Sequence, residues 1–353
     1  MGTLTRHLSG RLGATVATVL AGLVAMVQTL DLMKNGDAVI GRHGSGWSAL
    51  AFYAFLRLPV IIALVFLFAV LLGALLEFIR LVLNGEALAI RGSGISIWRL
   101  LLRFLPAVLI LGAFGFAVQA YLAPWASRSL ARWDLERNPH KAIADGAEWL
   151  RDGASLVRIG RISDDRRVLG DVSIFRLNHQ GLLAEDIEAD AARFDHGLWT
   201  LERVQIFPAT ADRDVTLSQM KWSTGLQPRH LASLSLPPQS MSLASLEEQV
   251  TGHPPATEPA RLYVLELLRR VRVPLLVPLM ILLAAPLLME LERFGGIARA
   301  FGFAAAIGFG YFVIDGMALS LGAAGWLPSL VAVCAAPAIF AALGVARLPV
   351  TGG

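Results

Sequence analysis

The chain has 353 residues, of which 55% are hydrophobic and only 16% charged, where a soluble domain carries roughly 25% charged residues. That excludes a single soluble globular domain, and the net charge of +4 is too mild for a nucleic-acid binder. The one cysteine, Cys334, excludes an intrachain disulfide framework and a cysteine-built zinc site.

The position of the charges says more than their sum. Residues 125–262 hold 19 of the 27 acids and 16 of the 31 basic residues. A polar, slightly acidic block about the size of one soluble domain therefore interrupts an apolar, basic frame. A bilayer span needs about 20 mostly apolar residues. In chain order the candidates are Leu12–Met33, Ala49–Leu76, Phe104–Trp125, Val273–Met289, Ala300–Leu321 and Trp326–Ala346, three on each side of the block. The apolar run of the first is too long for the h-region of a cleaved signal peptide, so it is read as a retained helix. The predicted divisions are residues 1–125 (spans one to three), 126–262 (an outer domain) and 263–353 (spans four to six).

Lys and Arg in short loops set orientation. With the N-terminus inside, the cytoplasmic set is Arg6, Arg11, Arg80, Arg91, Arg99, Arg103, Arg293, Arg299 and Arg347. The opposite set is Lys34, Arg42, Arg57, Arg269, Arg270 and Arg272. The balance favours both termini inside and the polar block outside, with Arg269–Arg272 as an exception to the rule.

Between spans two and three, Asn84 is a candidate N-cap, Glu86 suits the start of a helix dipole, and Gly92 suits its end. A short helix near 84–92 is expected on the cytoplasmic face. Inside the polar block the pattern turns to period-2 alternation in Ser155–Ile162, Asp171–Asn178, Leu198–Phe207 and Val215–Trp222, which predicts half-buried antiparallel strands. His179-Gln180-Gly181 and Asp195-His196-Gly197 are turn candidates. The spacing suits a sandwich, a jelly roll or a half-open barrel. A Leu/Trp/Phe-lined interior could bind lipid or simply be a core. Residues 223–260 read as an irregular return to the membrane.

Nothing points to catalysis by this chain. There is no G-x-x-x-x-G-K-[ST] loop, no H-E-x-x-H and no G-x-S-x-G. Gly92-Ser93-Gly94 is a helix break. The seven histidines are scattered, and the pairs Asp164/Asp165 and Glu247/Glu248 read as solvated turn charges. No catalytic residue, metal site or cofactor is expected.

Several segments nevertheless carry a resemblance. Leu71-Leu72-Gly73-Ala74-Leu75 at the end of span two, Glu86 through Gly94, and Ala123-Pro124-Trp125 after span three are similar in kind, order and spacing to the LptF/LptG (YjgP/YjgQ) family. These are permease subunits of the ABC transporter for lipopolysaccharide export. Phe312-Val313-Ile314-Asp315 in span five resembles the LptG branch more than the LptF branch. LptG proteins tend to carry more Lys around the end of span one, where this chain has only Lys34.

The resemblance covers nearly the whole chain. It implies an α-helical protein of the Gram-negative inner membrane, with six transmembrane helices and an inserted periplasmic β-jellyroll domain. Its implied partners are an LptF-like permease subunit, an LptB-like ATPase dimer that hydrolyses the ATP, and the periplasmic jellyroll proteins LptC and LptA. The implied cargo is lipopolysaccharide on its way to the outer membrane. Glu86, Ala87, Leu88, Arg91, Gly92 and Gly94 would then form the ATPase-coupling helix. Lys34, Arg57, Arg269, Arg270 and Arg272 would meet the lipid's phosphates, for which an arginine fork is well suited. The intramembrane acids Asp31 and Asp315 are costly in a span and are expected either to face a basic partner or to reach water. A permease for another lipid or for a lipoprotein, and a scaffold that only anchors a β-domain, are the alternatives. Lipoprotein permeases carry their large domain after span one, and a scaffold needs fewer than six spans.

Overall fold

A computed structural model describes residues 3–43, 47–86, 97–137, 148–153, 155–163, 165–178, 180, 182–209, 214–228, 231, 237–252, 256–286 and 296–346. The chain divides into two compact units. One is formed by Met1–Leu130 with Leu265–Gly353, the other by Ala131–Val264.

The helices in chain order are α1 (Thr3–His43), α2 (Trp47–Leu83), α3 (Ile97–Arg103), α4 (Leu105–Ala117), a π turn (Val118–Leu122) running into α5 (Ala123–Arg137), then α6 (Leu243–Gly252), α7 (Ala260–Val271), α8 (Val273–Ala284), α9 (Ile297–Ala324) and α10 (Ser329–Ala346). All but α6 lie wholly or mainly in the first unit. Five helical stretches are long and apolar enough to cross a membrane: Thr5–Gly41, Trp47–Leu83, Leu105–Trp133, Phe301–Ala324 and Ser329–Ala346. At the fourth expected span, Val273–Met289, the described apolar helix is the shorter Val273–Ala284, and residues 287–289 lie outside the described residues.

Helices α1 and α2 run antiparallel, and Gly73 sets their closeness. A Cβ built on Gly73 would lie 2.6 Å from Val16 Cγ2 and 2.8 Å from Val16 Cα, so the backbone of α1 occupies the space of a side chain. Small residues permit this approach where the bilayer offers no hydrophobic drive between helices. The core of the unit is continuous. Leu8, Leu12 and Val16 of α1, Phe66, Leu71, Leu75 and Phe78 of α2, Val277 and Met280 of α8, Tyr311 of α9 and Phe340 of α10 belong to one buried cluster. Helix α2 ends at Gly85, whose φ of +72° makes it a left-handed terminator.

The second unit is a six-stranded antiparallel sheet in sequence order: β1 (Glu148–Asp152), β2 (Ser155–Ile162), β3 (Val168–Leu177), β4 (Leu183–Asp195), β5 (Leu198–Pro208) and β6 (Val215–Trp222). The β4–β5 hairpin closes at Asp195↔Leu198 through His196 and Gly197, with φ of +48° and +84°. Positive φ at both loop residues is the type I′ geometry that matches strand twist. One face carries the core of Leu150, Val157, Ile174, Ile187, Trp199, Leu201, Val204 and Trp222. The Trp199 indole N–H donates to the Leu226 carbonyl at 2.8 Å, which satisfies its one polar atom.

Residues 223–260 are not wholly irregular. Leu243–Gly252 forms α6, started by Ser242, whose Oγ accepts the Ser245 N–H at 3.1 Å. Glu247 and Glu248 therefore sit exposed on a helix rather than in a turn.

Candidate functional site

The α1–α2 hairpin carries an ion cluster at each end. At one end, Arg57 of α2 pairs with Asp31 of α1, Nη2 to Oδ1 at 3.1 Å and Nε to both oxygens at 3.2 and 3.3 Å. The Tyr53 hydroxyl donates to Asp31 Oδ2 at 2.9 Å, and Asn35 Nδ2 to Oδ1 at 3.2 Å. At the other end, Arg11 of α1 lies between two acids. Its Nε is 3.0 Å from Oε1 of the fully buried Glu77, an ion pair without hydrogen-bond alignment. Its Nη1 donates to Glu86 Oε1 at 2.9 Å and Oε2 at 3.1 Å. Arg80 donates to Thr15 Oγ1 at 3.1 Å, and Thr15 donates to Glu77 Oε2 at 3.1 Å.

Twenty residues separate Arg11 from Asp31 on α1, and twenty separate Arg57 from Glu77 on α2. At 1.5 Å per residue the two clusters stand about 30 Å apart, the thickness of a hydrocarbon core. The hairpin thus brackets an apolar slab with charge at both faces.

Glu86 was singled out from the sequence, and it begins the first turn after Gly85. Its carboxylate is held below the ordinary value by the hydrogen bonds from Arg11, against the opposing effect of burial, with Asn84 Nδ2 adding a bond at 3.3 Å. Ala87, Leu88, Arg91, Gly92 and Gly94 lie outside the described residues, as does the expected short helix beyond Glu86. An open groove of about 510 Å³ adjoins this end, lined by Arg6, His7, Gly10, Arg11 and Ala14.

The expected lipid-facing cations separate into two kinds. Lys34 is exposed on α1, and no ion pair joins it to another described residue. The others hold carboxylates. Besides the Arg57–Asp31 pair, Arg269 and Arg270 share Glu266, with Nε–O distances of 2.8 Å each, and Arg270 is 1% exposed. Arg272 forks onto Asp315 at 2.7 Å through both Nη atoms and also donates to the Val333 carbonyl at 2.6 Å. Both intramembrane acids, Asp31 and Asp315, therefore face arginines rather than water. Sequence reasoning missed Arg11, Glu77 and Glu266 as members of these clusters. The available signal was Glu77 itself, a carboxylate directly after the apolar run that ends at Leu76.

Among the described residues no group of three or more His, Cys, Asp or Glu side chains is arranged to hold a metal ion.

Residues 6–349 match the family model described as "Lipopolysaccharide export system permease LptF/LptG". The chain is similar to the lipopolysaccharide export system permease protein LptG of Escherichia coli (strain K12), 25% identical over 325 residues that span 89% of each chain. It is equally similar to the same-named protein of Haemophilus influenzae, 25% identical over 324 residues, 89% of this chain and 88% of that one.

Proposed function

The chain belongs to the LptF/LptG family of lipopolysaccharide export permeases, and from that premise we propose that it is an LptG-type subunit that draws lipopolysaccharide from the outer leaflet of the inner membrane. It is a multi-pass permease subunit of an ABC transport system whose ATPase is a separate protein. In the proposed arrangement Val273–Met289 completes a sixth span, both termini are cytoplasmic, and the sheet, curled as an open β-jellyroll, is periplasmic. The chain pairs with an LptF-like subunit on an LptB-like ATPase dimer. It delivers lipid through the jellyroll toward LptC and LptA, whose strands add at open sheet edges.

The observation that carries this reading is the hairpin with charge at both faces. Its outer end would offer Lys34 to lipid phosphates. Its inner end would present Glu86 at the start of the coupling segment. Arg57, Arg269, Arg270 and Arg272 already hold carboxylates and would reach a phosphate only by sharing or exchanging them. Lys34 is therefore the first lipid contact in this proposal.

The test is purification of the tagged protein from its native membrane in mild detergent. Co-purification of a P-loop ATPase, a second permease subunit and lipopolysaccharide is expected. Isolation alone, or with another lipid and no ATPase, overturns the proposal. Glu86→Ala should leave the protein folded yet lose lipid-stimulated ATP hydrolysis, and Lys34→Glu should lower lipid crosslinking at the outer end.

A further inference from the structure

Helix α1 contacts the chain on either side of residues 87–96, which lie outside the described residues. Before them, Arg11 Nη1 holds Glu86 at 2.9 and 3.1 Å. After them, the Ser9 hydroxyl donates to the carbonyl of Arg103, the last residue of α3, at 2.9 Å. Ser9 and Arg11 lie within three turns of the start of α1. Arg11 also reaches across to the buried Glu77 near the end of α2 at 3.0 Å.

We infer that Arg11 is a positioning residue for energy coupling: forked between Glu77 and Glu86, it ties the start of the coupling segment to α1, so that a displacement of that segment moves α1. This rests on the proposed role of Glu86 in meeting the ATPase.

The chemistry of the side chain supports the role. A guanidinium presents several donors in a rigid plane and can serve two carboxylates from different edges. Here Nε faces Glu77 and Nη1 faces Glu86. A lysine is a point charge and cannot bridge two separated acids with that geometry. Beyond Val16, the described residues of α1 are buried only at Val24, Gly36 and Val39, and the polar ties of that part are to α2, through Asp31 with Arg57 and Tyr53. The tie is also exposed to competition. Any cation that the ATPase brings to Glu86 draws on the same two oxygens that Arg11 holds, so docking of the ATPase and the grip of Arg11 are linked through one carboxylate.

The experiment uses the full transporter in proteoliposomes, with the co-purified ATPase and partner subunit, on a Cys334→Ser background. Spin labels replace Ala17 on α1 and Leu109 on α4, both exposed. In the otherwise unaltered protein, ATP binding should shift the distance between them. Arg11→Gln should abolish the shift and lower lipid moved per ATP hydrolysed by about tenfold, a typical allosteric coupling, while the ATPase still co-purifies. Arg11→Lys, which keeps the charge, should fall between. If Arg11→Gln does not accumulate, Arg11→Lys and Glu77→Gln carry the same test.

An unaltered distance shift and unaltered lipid per ATP in these variants overturns the inference. So does an α1 that does not move on ATP binding in the parent protein. A drop in folded yield with the ratio unchanged marks Arg11 as merely structural and also overturns it. The role of Glu86 fails separately, if Glu86→Ala keeps the ATPase bound and stimulated by lipid.

Discussion

The Arg272–Asp315 pair is the most heavily buried cross-helix ion pair described and gives the sharpest stability prediction. Both residues are 9% exposed, and the fork closes at 2.7 Å on each arm. At an effective dielectric of about 20, charges about 4 Å apart attract by about 4 kcal/mol. Desolvating the two ions consumes several kcal/mol each, so the intact pair contributes little net. Removing one partner is different, because the other charge stays buried without a counterion, at about 3–5 kcal/mol. The two single losses should also differ. A stranded carboxylic acid can take up a proton, whereas a stranded guanidinium cannot lose one. Asp315→Ala should therefore be the more damaging, although Arg272→Met also orphans the Val333 carbonyl, at about 1–3 kcal/mol. The double variant Arg272→Met/Asp315→Leu should cost far less than the sum of the singles. The assay is unfolding of the purified chain in mixed micelles by titration with dodecyl sulfate, read from a fluorophore on Cys334. That residue is exposed and adjoins Val333 on α10. Singles that each cost under about 1 kcal/mol, or a double variant that equals their sum, would refute the reasoning.

Gly73→Ala should displace α1 from α2 and lower stability by about 1–3 kcal/mol, the usual range for overpacking, because the new methyl meets backbone at Val16 Cα rather than a yielding side-chain tip; the same micelle titration checks it. Trp199→Phe should keep most of the apolar burial but leave the Leu226 carbonyl without its 2.8 Å donor, at about 1–3 kcal/mol, seen as an earlier urea midpoint for the sheet by circular dichroism of the full chain. Asp186 sits on β4 opposite Phe175 and Phe207, with a buried and unpartnered Oδ1, and burial, with a further push from Glu188, raises its carboxyl above the ordinary range. The folded state then holds a proton that the unfolded chain has released, so this group lowers stability as pH climbs from the unfolded value through the raised one. Asp186→Asn should accordingly be more stable than the parent at pH 7 and equal to it below about pH 4, measured by the same urea midpoints.

How much of this was legible follows from what each element rests on. Five of the six expected spans were readable because length and apolarity are local properties, and strands β2 and β6 were readable at Ser155–Ile162 and Val215–Trp222 because apolar and polar residues mix there at short range between turn signals. Strand β4 was not. Its sequence, Leu183-Ala-Glu-Asp-Ile-Glu-Ala-Asp-Ala-Ala-Arg-Phe-Asp195, is rich in Asp, Glu and Ala, residues poor in intrinsic strand preference. It is held by pairing on both sides, with β3 and with β5, which no local pattern announces. Strand β1 spans only five residues and takes its definition from β2. The ion clusters were half legible. Residues such as Arg57, Asp31, Arg272 and Asp315 stood out singly because charge is rare in a span. Their pairing joins residues 26 and 43 positions apart and depends on how the helices cross.

By sequence alone Arg57, Arg269, Arg270 and Arg272 count as four cations. Each, however, holds a carboxylate: Arg57 has Asp31, Arg269 and Arg270 share Glu266, and Arg272 has Asp315. Four arginines set against three acids leave a surplus of about one charge rather than four. At the other end of the hairpin Arg11 is held by Glu77 and Glu86, and Arg80 lies 3.9 Å from the same Glu77. Lys34 then stands apart as an exposed cation on the hairpin with no ion pair to another described residue; an anion meeting it displaces no carboxylate, whereas one meeting a paired arginine must compete with the acid already there.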